Sequence, residues 1–388
     1  MPRYRSIRVN SGRRRSQVRA NSERILVVGA GVSGLTTALC LAREGFRVTV
    51  VADRFAPDIV SVVAGALWEW PPAVCGYHHD EISLARSKDW CVTSYRMFDE
   101  MARAKVPGVA MRRSNFYFRH RVEENPHDLH KMRELAGKVR GFLRDPALAG
   151  RNGVSPGYGV VDAYSHLAPV IDTDQYMAWL MREVVRHGVR VVRHRVDGPL
   201  AARQAELCER FGAGLVVCCA GLGTAELRGV PMYPLRGALV RVRNGGLRGP
   251  RIEEAHCVSH DERHDEQDIV FIVPRNQDLL VLGGLAEKDE WDTGIDLENH
   301  APIREMYERC LAFMPALRRA RIDPDEPVRV GLRPFRGENV CLEWDEEDQV
   351  VYNFAHGGAG FSFSWGCARE AVGLVRMAVE ERRYSRSF

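Results

Sequence analysis

Apolar positions along this 388-residue chain follow two rhythms. In the first half, short unbroken apolar runs alternate with stretches of helical spacing, whereas beyond Val230 the period falls towards two. The run at 25–28 leads into Gly29-Ala30-Gly31-Val32-Ser33-Gly34, an amphipathic stretch closing near Gly45, and a second run at 48–51 ending at Ala52-Asp53. That order predicts a strand–helix–strand unit of a parallel sheet. Residues 83–104 read as a helix with Trp90, Tyr95 and Phe98 at apolar positions, 116–118 as a strand, and 128–142 as a helix with Leu129, Met132, Leu135, Val139 and Phe142 along one side. The turn-rich 150–159 marks a crossing between domains. Alternation then resumes: Asp172 or Thr173 caps a helix bearing Tyr176, Leu180 and Val184, Gly188 ends it, 189–196 is a strand, 200–211 a helix and 215–219 an apolar strand. This block adds strands to the first sheet. Further strands are predicted at 238–242, 269–273 and 279–282, the last two forming a hairpin around Arg275-Asn276-Gln277-Asp278. A helix at 302–313, a strand at 350–354 and a helix from about Ser362 to Glu380 complete the pattern. The fold class is therefore α/β: a Rossmann-like domain with an interleaved α+β domain on a largely antiparallel sheet.

Composition narrows the setting. No apolar run approaches a membrane span, so no membrane association is expected. The ten cysteines form no CxxC pair or zinc-like spacing, which suits a reducing, cytoplasmic setting and predicts no metal site. Eight arginines against one glutamate in residues 1–24 contribute +7 to a net charge of +4, leaving the remainder near −3. That balance argues against a broad nucleic-acid surface, and the basic tail, 1–23, reads as a disordered leader rather than a secretory signal.

The fingerprint carries the first chemistry. Gly29 permits a tight turn, Gly31 lets the backbone approach a pyrophosphate, and Gly34 allows close helix–strand packing, while Val32 and Ser33 open the helix whose free N–H groups face that anion. Asp53, 24 residues after Gly29, stands where a carboxylate accepts from a ribose hydroxyl. Downstream, Ala64, Gly65 and Ala66 leave room for a flat ring system, and Trp68 and Trp70 are candidates for pocket walls or for core.

Several segments together resemble the D-amino-acid oxidase family of FAD-dependent enzymes from Arg24 to about Arg376: VVGAGVSGLTTALCLAREG, VADRFAPDIVSVVAGALW, PLRG at 234–237, IVP at 272–274 with LGG at 282–284, GLRPFR at 331–336, and NFAHGGAGFSFSWGCAREA. The last is the most specific. The resemblance implies FAD as cofactor, with an FAD-binding domain at 24–75, 155–228 and 325–388 and a substrate domain at 76–154 and 229–324. It implies that Gly29, Gly31 and Gly34 hold the pyrophosphate, and that Asp53, Arg54 and the backbone of Val196 address the adenosine. Ser61 falls where the family has the last of three threonines, Ile59 and Val60 replacing the others. Ala66, Leu67 and Trp68 would line the flavin, and Gly357, Gly360, Phe361 and Ser362 would surround its pyrimidine edge. A helix starting near Ser362 would aim its positive end at that edge.

On the substrate side, Arg333 matches the arginine that grips a carboxylate, a role suited to a permanently charged fork. Gly358 matches the glycine whose carbonyl accepts from the amine. Two family tyrosines fall approximately at Gln267 and Phe271, the latter without a hydroxyl, Ala359 replaces a larger residue, and Glu69 stands where a neutral polar residue is commoner. Glu69 favours a substrate with an extra amine if it faces the pocket, and an arginine partner is the alternative. The implied activity is oxidation of an amine, a D-amino acid first among candidates, with dioxygen as acceptor and hydrogen peroxide as product; an oligomer is compatible with it. His356 reads as a residue that fixes loop geometry rather than a base. The alternatives are an oxidase or dehydrogenase of a secondary amine or modified amino acid, and a non-catalytic dinucleotide-binding protein.

Overall fold

A computed structural model of the protein describes residues 23–71, 76, 78–245, 251–258 and 268–385. Two sheets carry the molecule. The first has six strands in the order Cys341–Asp345, Val350–Phe354, Leu215–Cys218, Arg24–Val28, Arg47–Ala52 and Arg190–Arg193. All neighbours in it are parallel except the antiparallel edge strand Cys341–Asp345. The fingerprint strand is central, and its residues Leu26 and Val27 are fully buried, as a parallel strand covered on both faces requires. The block at 189–219 adds strands to this sheet as its apolar runs predict, although the strand read over 189–196 is confined to Arg190–Arg193.

The second sheet of nine strands runs through Tyr233–Arg243, Leu279–Gly283, Val270–Pro274, Ala255–Val258, Val109–Phe118 and Asp162–Ile171, with Val328–Phe335 alongside Tyr233–Arg243. It is antiparallel but for the pair Val109–Phe118 and Ala255–Val258. The hairpin at 270–283 closes at 275–278, as its period predicts. The ten-residue strand Asp162–Ile171 was not anticipated: it is buried on both faces, so it shows no alternation, and it contains His166 and Pro169. The domain limits expected at 155 and 325 fall before two strands of this second sheet, Asp162–Ile171 and Val328–Phe335. The helix expected over 128–142 is shorter and earlier, Pro126–Ala136; Asn125 caps it by accepting from His127 and Asp128, and Gly137 follows its end.

Two helices join the halves. Glu81–Arg103 contributes Met97, Phe98 and Met101 to the core under the first sheet and Trp90, Cys91 and Tyr95 to the core against the second. The closing helix, Gly360–Ser385, crosses it so closely that a Cβ at Gly366 would collide with the Trp90 backbone. The same closing helix packs along the fingerprint helix, Val32–Arg43, which rests in turn on Thr173–Arg186, capped by Asp172. Among the described residues no helix is long and apolar enough to cross a membrane.

Candidate active site

The fingerprint loop is held chiefly by backbone. Gly29, at φ +111°, donates its N–H to the Val51 carbonyl at 2.8 Å, and a Cβ on it would strike the Cys219 carbonyl. A Cβ on Gly34 would strike the Gly29 carbonyl, so helix and strand meet only because both positions are glycine. Ser61, in the short turn Val60–Val63, accepts the Val32 N–H at 2.9 Å and lies 3.2 Å from where a Gly31 Cβ would stand. The remaining first-turn N–H groups of the helix have no partner within it. Ser33 Oγ is buried there without a hydrogen bond. Asp53 is exposed at the carboxyl end of Arg47–Ala52 with Arg54 3.6 Å away, and Arg193 donates to the Asp53 carbonyl at 3.1 Å. Val196, partly buried, packs into the cluster containing Val51 and Leu200 at the same edge. These residues thus gather at the carboxyl ends of parallel strands, the usual place for a ligand in such sheets.

A second helix start meets the first. The would-be Cβ of Gly360 lies 3.6 Å from Val32 Cγ1, so the N-termini of the fingerprint and closing helices adjoin. Phe361 and Ser362 are buried in that first turn, and Ser362 Oγ accepts from the Glu69 N–H at 3.4 Å. Before it, Gly357 (φ +54°) donates to the Pro334 carbonyl at 3.0 Å, which ties the turn to the strand carrying Arg333, and leaves Gly358 exposed at the tip. His356 Nε2 lies 2.9 Å from Asn353 Oδ1, and Asn353 reaches Thr37 of the fingerprint helix at 3.3 Å. Burial pushes the His356 pKa down to about 4, so its imidazole is neutral and serves the turn's geometry.

Between the two sheets runs the segment 64–69. Ala66 takes a left-handed conformation (φ +50°), its carbonyl accepts from Ile171 at 2.9 Å, and Leu67 bridges Val170. The segment is clamped by Arg275, which donates to the carbonyls of Ala64 at 2.7 Å, Gly65 at 3.0 Å and Ile171 at 2.5 Å. Arg275 is 6% exposed and forms no ion pair with a described residue, and burial pushes its pKa down to about 10. Sequence reasoning treated it as a hairpin-turn residue; the available signal was an arginine directly after the apolar strand Val270–Pro274. Trp68 and Trp70 turn into the second core. Trp68 donates to the Cys91 carbonyl at 2.9 Å and Trp70 to Glu134 at 3.3 Å, so both indoles are spent on packing.

Arg333 projects from Val328–Phe335 across the neighbouring strand at Gly237, where any Cβ would enter the guanidinium. Its one hydrogen bond runs to the Leu285 carbonyl at 3.3 Å. Burial lowers its pKa and the charge of Glu69 opposes that shift. Glu69 in turn is pushed above the usual carboxylate range by burial, against the pull of Lys131 and Arg333. Phe271 lays its ring over Gly65, 2.7 Å from a would-be Cβ there, and stands beside Cys257 in the sheet. Gln267 lies outside the described residues. The structure therefore brings Arg333, Glu69 and Phe271 to the side of the 64–69 segment facing the second sheet, and the glycine loop to the other.

Known proteins resemble this chain in sequence and fold. The family described as FAD dependent oxidoreductase matches residues 24–374. A D-amino-acid oxidase of Rubrobacter xylanophilus is 32% identical over 92% of this chain and 97% of its own. One from Streptomyces coelicolor is 34% identical over 90% and 96%. Glycine oxidase from Geobacillus kaustophilus superposes with a TM-score of 0.71 at 16% identity, covering 92% of this chain and 95% of its own.

Proposed function

The chain belongs to the D-amino-acid oxidase (DAO) family of FAD-dependent oxidoreductases, and on that premise we propose that it oxidises the amine of an amino acid, a D-amino acid first among candidates. The cradle suits the cofactor: a glycine loop that admits no Cβ, an unpartnered buried hydroxyl and two adjoining helix N-termini offer donors to a diphosphate and an electron-rich ring edge. In this reading Gly29, Gly31, Val32, Ser33 and Gly34 face the diphosphate, and Ser61 fixes the first turn beside them. Asp53, Arg54 and Val196 address the adenosine, Ala66 and Leu67 form the wall along the ring, and Gly357, Gly360, Phe361 and Ser362 border its polar edge. FAD held by these residues would supply an acceptor for the substrate's α-hydrogen and its electron pair, which dioxygen would then take up as hydrogen peroxide.

The chain's own residues orient the substrate. One observation carries the reading: the Arg333 guanidinium is part-buried, makes one 3.3 Å bond among the described residues, and stands on the strand that anchors the Gly358 turn. A carboxylate pairs with the remaining donors of that fork. The Gly358 carbonyl then accepts from the neutral amine, which fixes the α-carbon between two points and fits the geometric account of catalysis. Phe271 contributes an apolar wall and no hydroxyl, so carboxylate binding falls to Arg333. The imine product hydrolyses in water to a keto acid and ammonia. The test is a screen of D-amino acids, L-amino acids, glycine and N-methyl amines with the purified protein, following anaerobic flavin bleaching and, in air, peroxide. Bleaching by a carboxylate-bearing amine is expected; protein that releases no FAD, or FAD that no amine reduces, overturns the proposal.

A further inference from the structure

Glu69 is an unspent charge. Its backbone is fixed at both ends, the N–H on Ser362 Oγ at 3.4 Å and the carbonyl on the Cys91 thiol at 3.2 Å, between two buried tryptophans. The residue is partly buried, and its short side chain stays close to that fixed backbone. Yet the carboxylate has no hydrogen bond and no ion pair with any described residue. Two cations feel it, Lys131 from the helix Pro126–Ala136 and Arg333, and neither closes to an ion pair. Tyr164 and Cys257, both buried, lie within reach of its field, and Phe116 stacks on Tyr164 at 5.2 Å. An uncompensated carboxylate beside aromatic rings is costly to keep, and a cation both neutralises it and gains from the ring faces.

Resting on the amine-oxidation reading above, we propose that Glu69 selects a substrate whose side chain ends in a second cationic group, a basic amino acid held by its α-carboxylate on Arg333 and by its distal charge at Glu69. Lys131 is the competing feature, since it would attract a second carboxylate. The two differ in mobility. Both residues are partly exposed, but Lys131 swings on a four-carbon stem and withdraws into solvent at little cost, whereas Glu69 is short and its backbone is tied at both ends. Lys131 thus supplies a provisional counter-charge that an incoming substrate cation displaces, and the fixed group decides the preference.

The experiment uses the FAD-loaded full chain and compares kcat/KM for both enantiomers of lysine, norleucine and glutamate. Norleucine has the lysine chain without its ammonium. Lysine should exceed norleucine by roughly ten- to a hundred-fold, the range of a charge-assisted hydrogen bond. Glu69→Gln should collapse that ratio at unchanged FAD content, and Lys131→Met should raise it. If norleucine matches lysine, if glutamate is preferred, or if the ratio survives Glu69→Gln, the inference fails while amine oxidation stands. If no amine reduces the flavin, the amine reading fails and takes this inference with it.

Discussion

The two ends of the site are made by different means. The proposed nucleotide end is mostly backbone: glycine torsions, carbonyls and helix-terminal N–H groups drawn chiefly from one run of residues, Arg24 to Arg54. The proposed substrate end is side chain, with Arg333, Glu69, Phe271 and Lys131 arriving from two strands, a loop and a helix. A backbone site is intolerant of added atoms but indifferent to which small molecule lies beyond. A side-chain site tolerates substitution of its members and changes specificity when they change. Evolutionary retuning within one fold is therefore expected at the second end.

That contrast is open to direct test. The largest effect should come from Gly34→Ala, because its methyl would meet the Gly29 carbonyl and no flexible group can move aside. Recovered protein should carry no FAD, and retention of FAD at one per chain would break the claim that this end is backbone-limited. Next is acid. His166, His256 and His356 are each held neutral by burial, with pKa values lowered to about 4 from an ordinary 6.5. Because the folded pKa is depressed, the unfolded chain binds the protons first, so stability is lost as pH falls from 6.5 towards 4. Each imidazole contributes about 3 kcal/mol to that loss if fully unmatched. Urea midpoints measured across this window should fall steeply, and a flat profile would mean that these rings are solvated.

Arg333→Leu should lower kcat/KM for carboxylate substrates by about a hundred- to a thousand-fold while leaving FAD content intact, since truncating a buried charged pair costs about 3–4 kcal/mol. Equal loss of cofactor would erase the proposed separation between the two ends. The smallest effect belongs to Ser61→Ala, which frees the Val32 N–H at the helix start. Removing a cap of this kind costs about 1 kcal/mol. The thermal midpoint should drop by about 1 °C with substrate preference unchanged.

Legibility followed the same division. The six-stranded sheet was readable because its central strands are continuous apolar runs around a glycine pattern, each rule acting over a few adjacent residues. Asp162–Ile171 was not, because burial on both faces erases the alternation that marks a half-exposed strand. Phe271 and Arg333 were named from motif resemblance, while Arg275 read only as part of a hairpin turn although it ties three carbonyls. Its role depends on where Ala64 and Ile171 arrive in space, and nothing local in a hairpin turn reports that. Trp68 and Trp70 read equally as pocket wall or as core. Their chemistry suited a pocket wall, but each indole N–H found a partner inside the core.

Arg275 also bears on how the molecule comes apart. It belongs to the hairpin of the second sheet, and its guanidinium holds both the segment leading from the first sheet and the end of Asp162–Ile171. Opening either half exposes a cation that has lost its acceptors or carbonyls that have lost their donor. Partial unfolding is thereby penalised from both sides, so the two lobes should melt in one cooperative step rather than as independent domains.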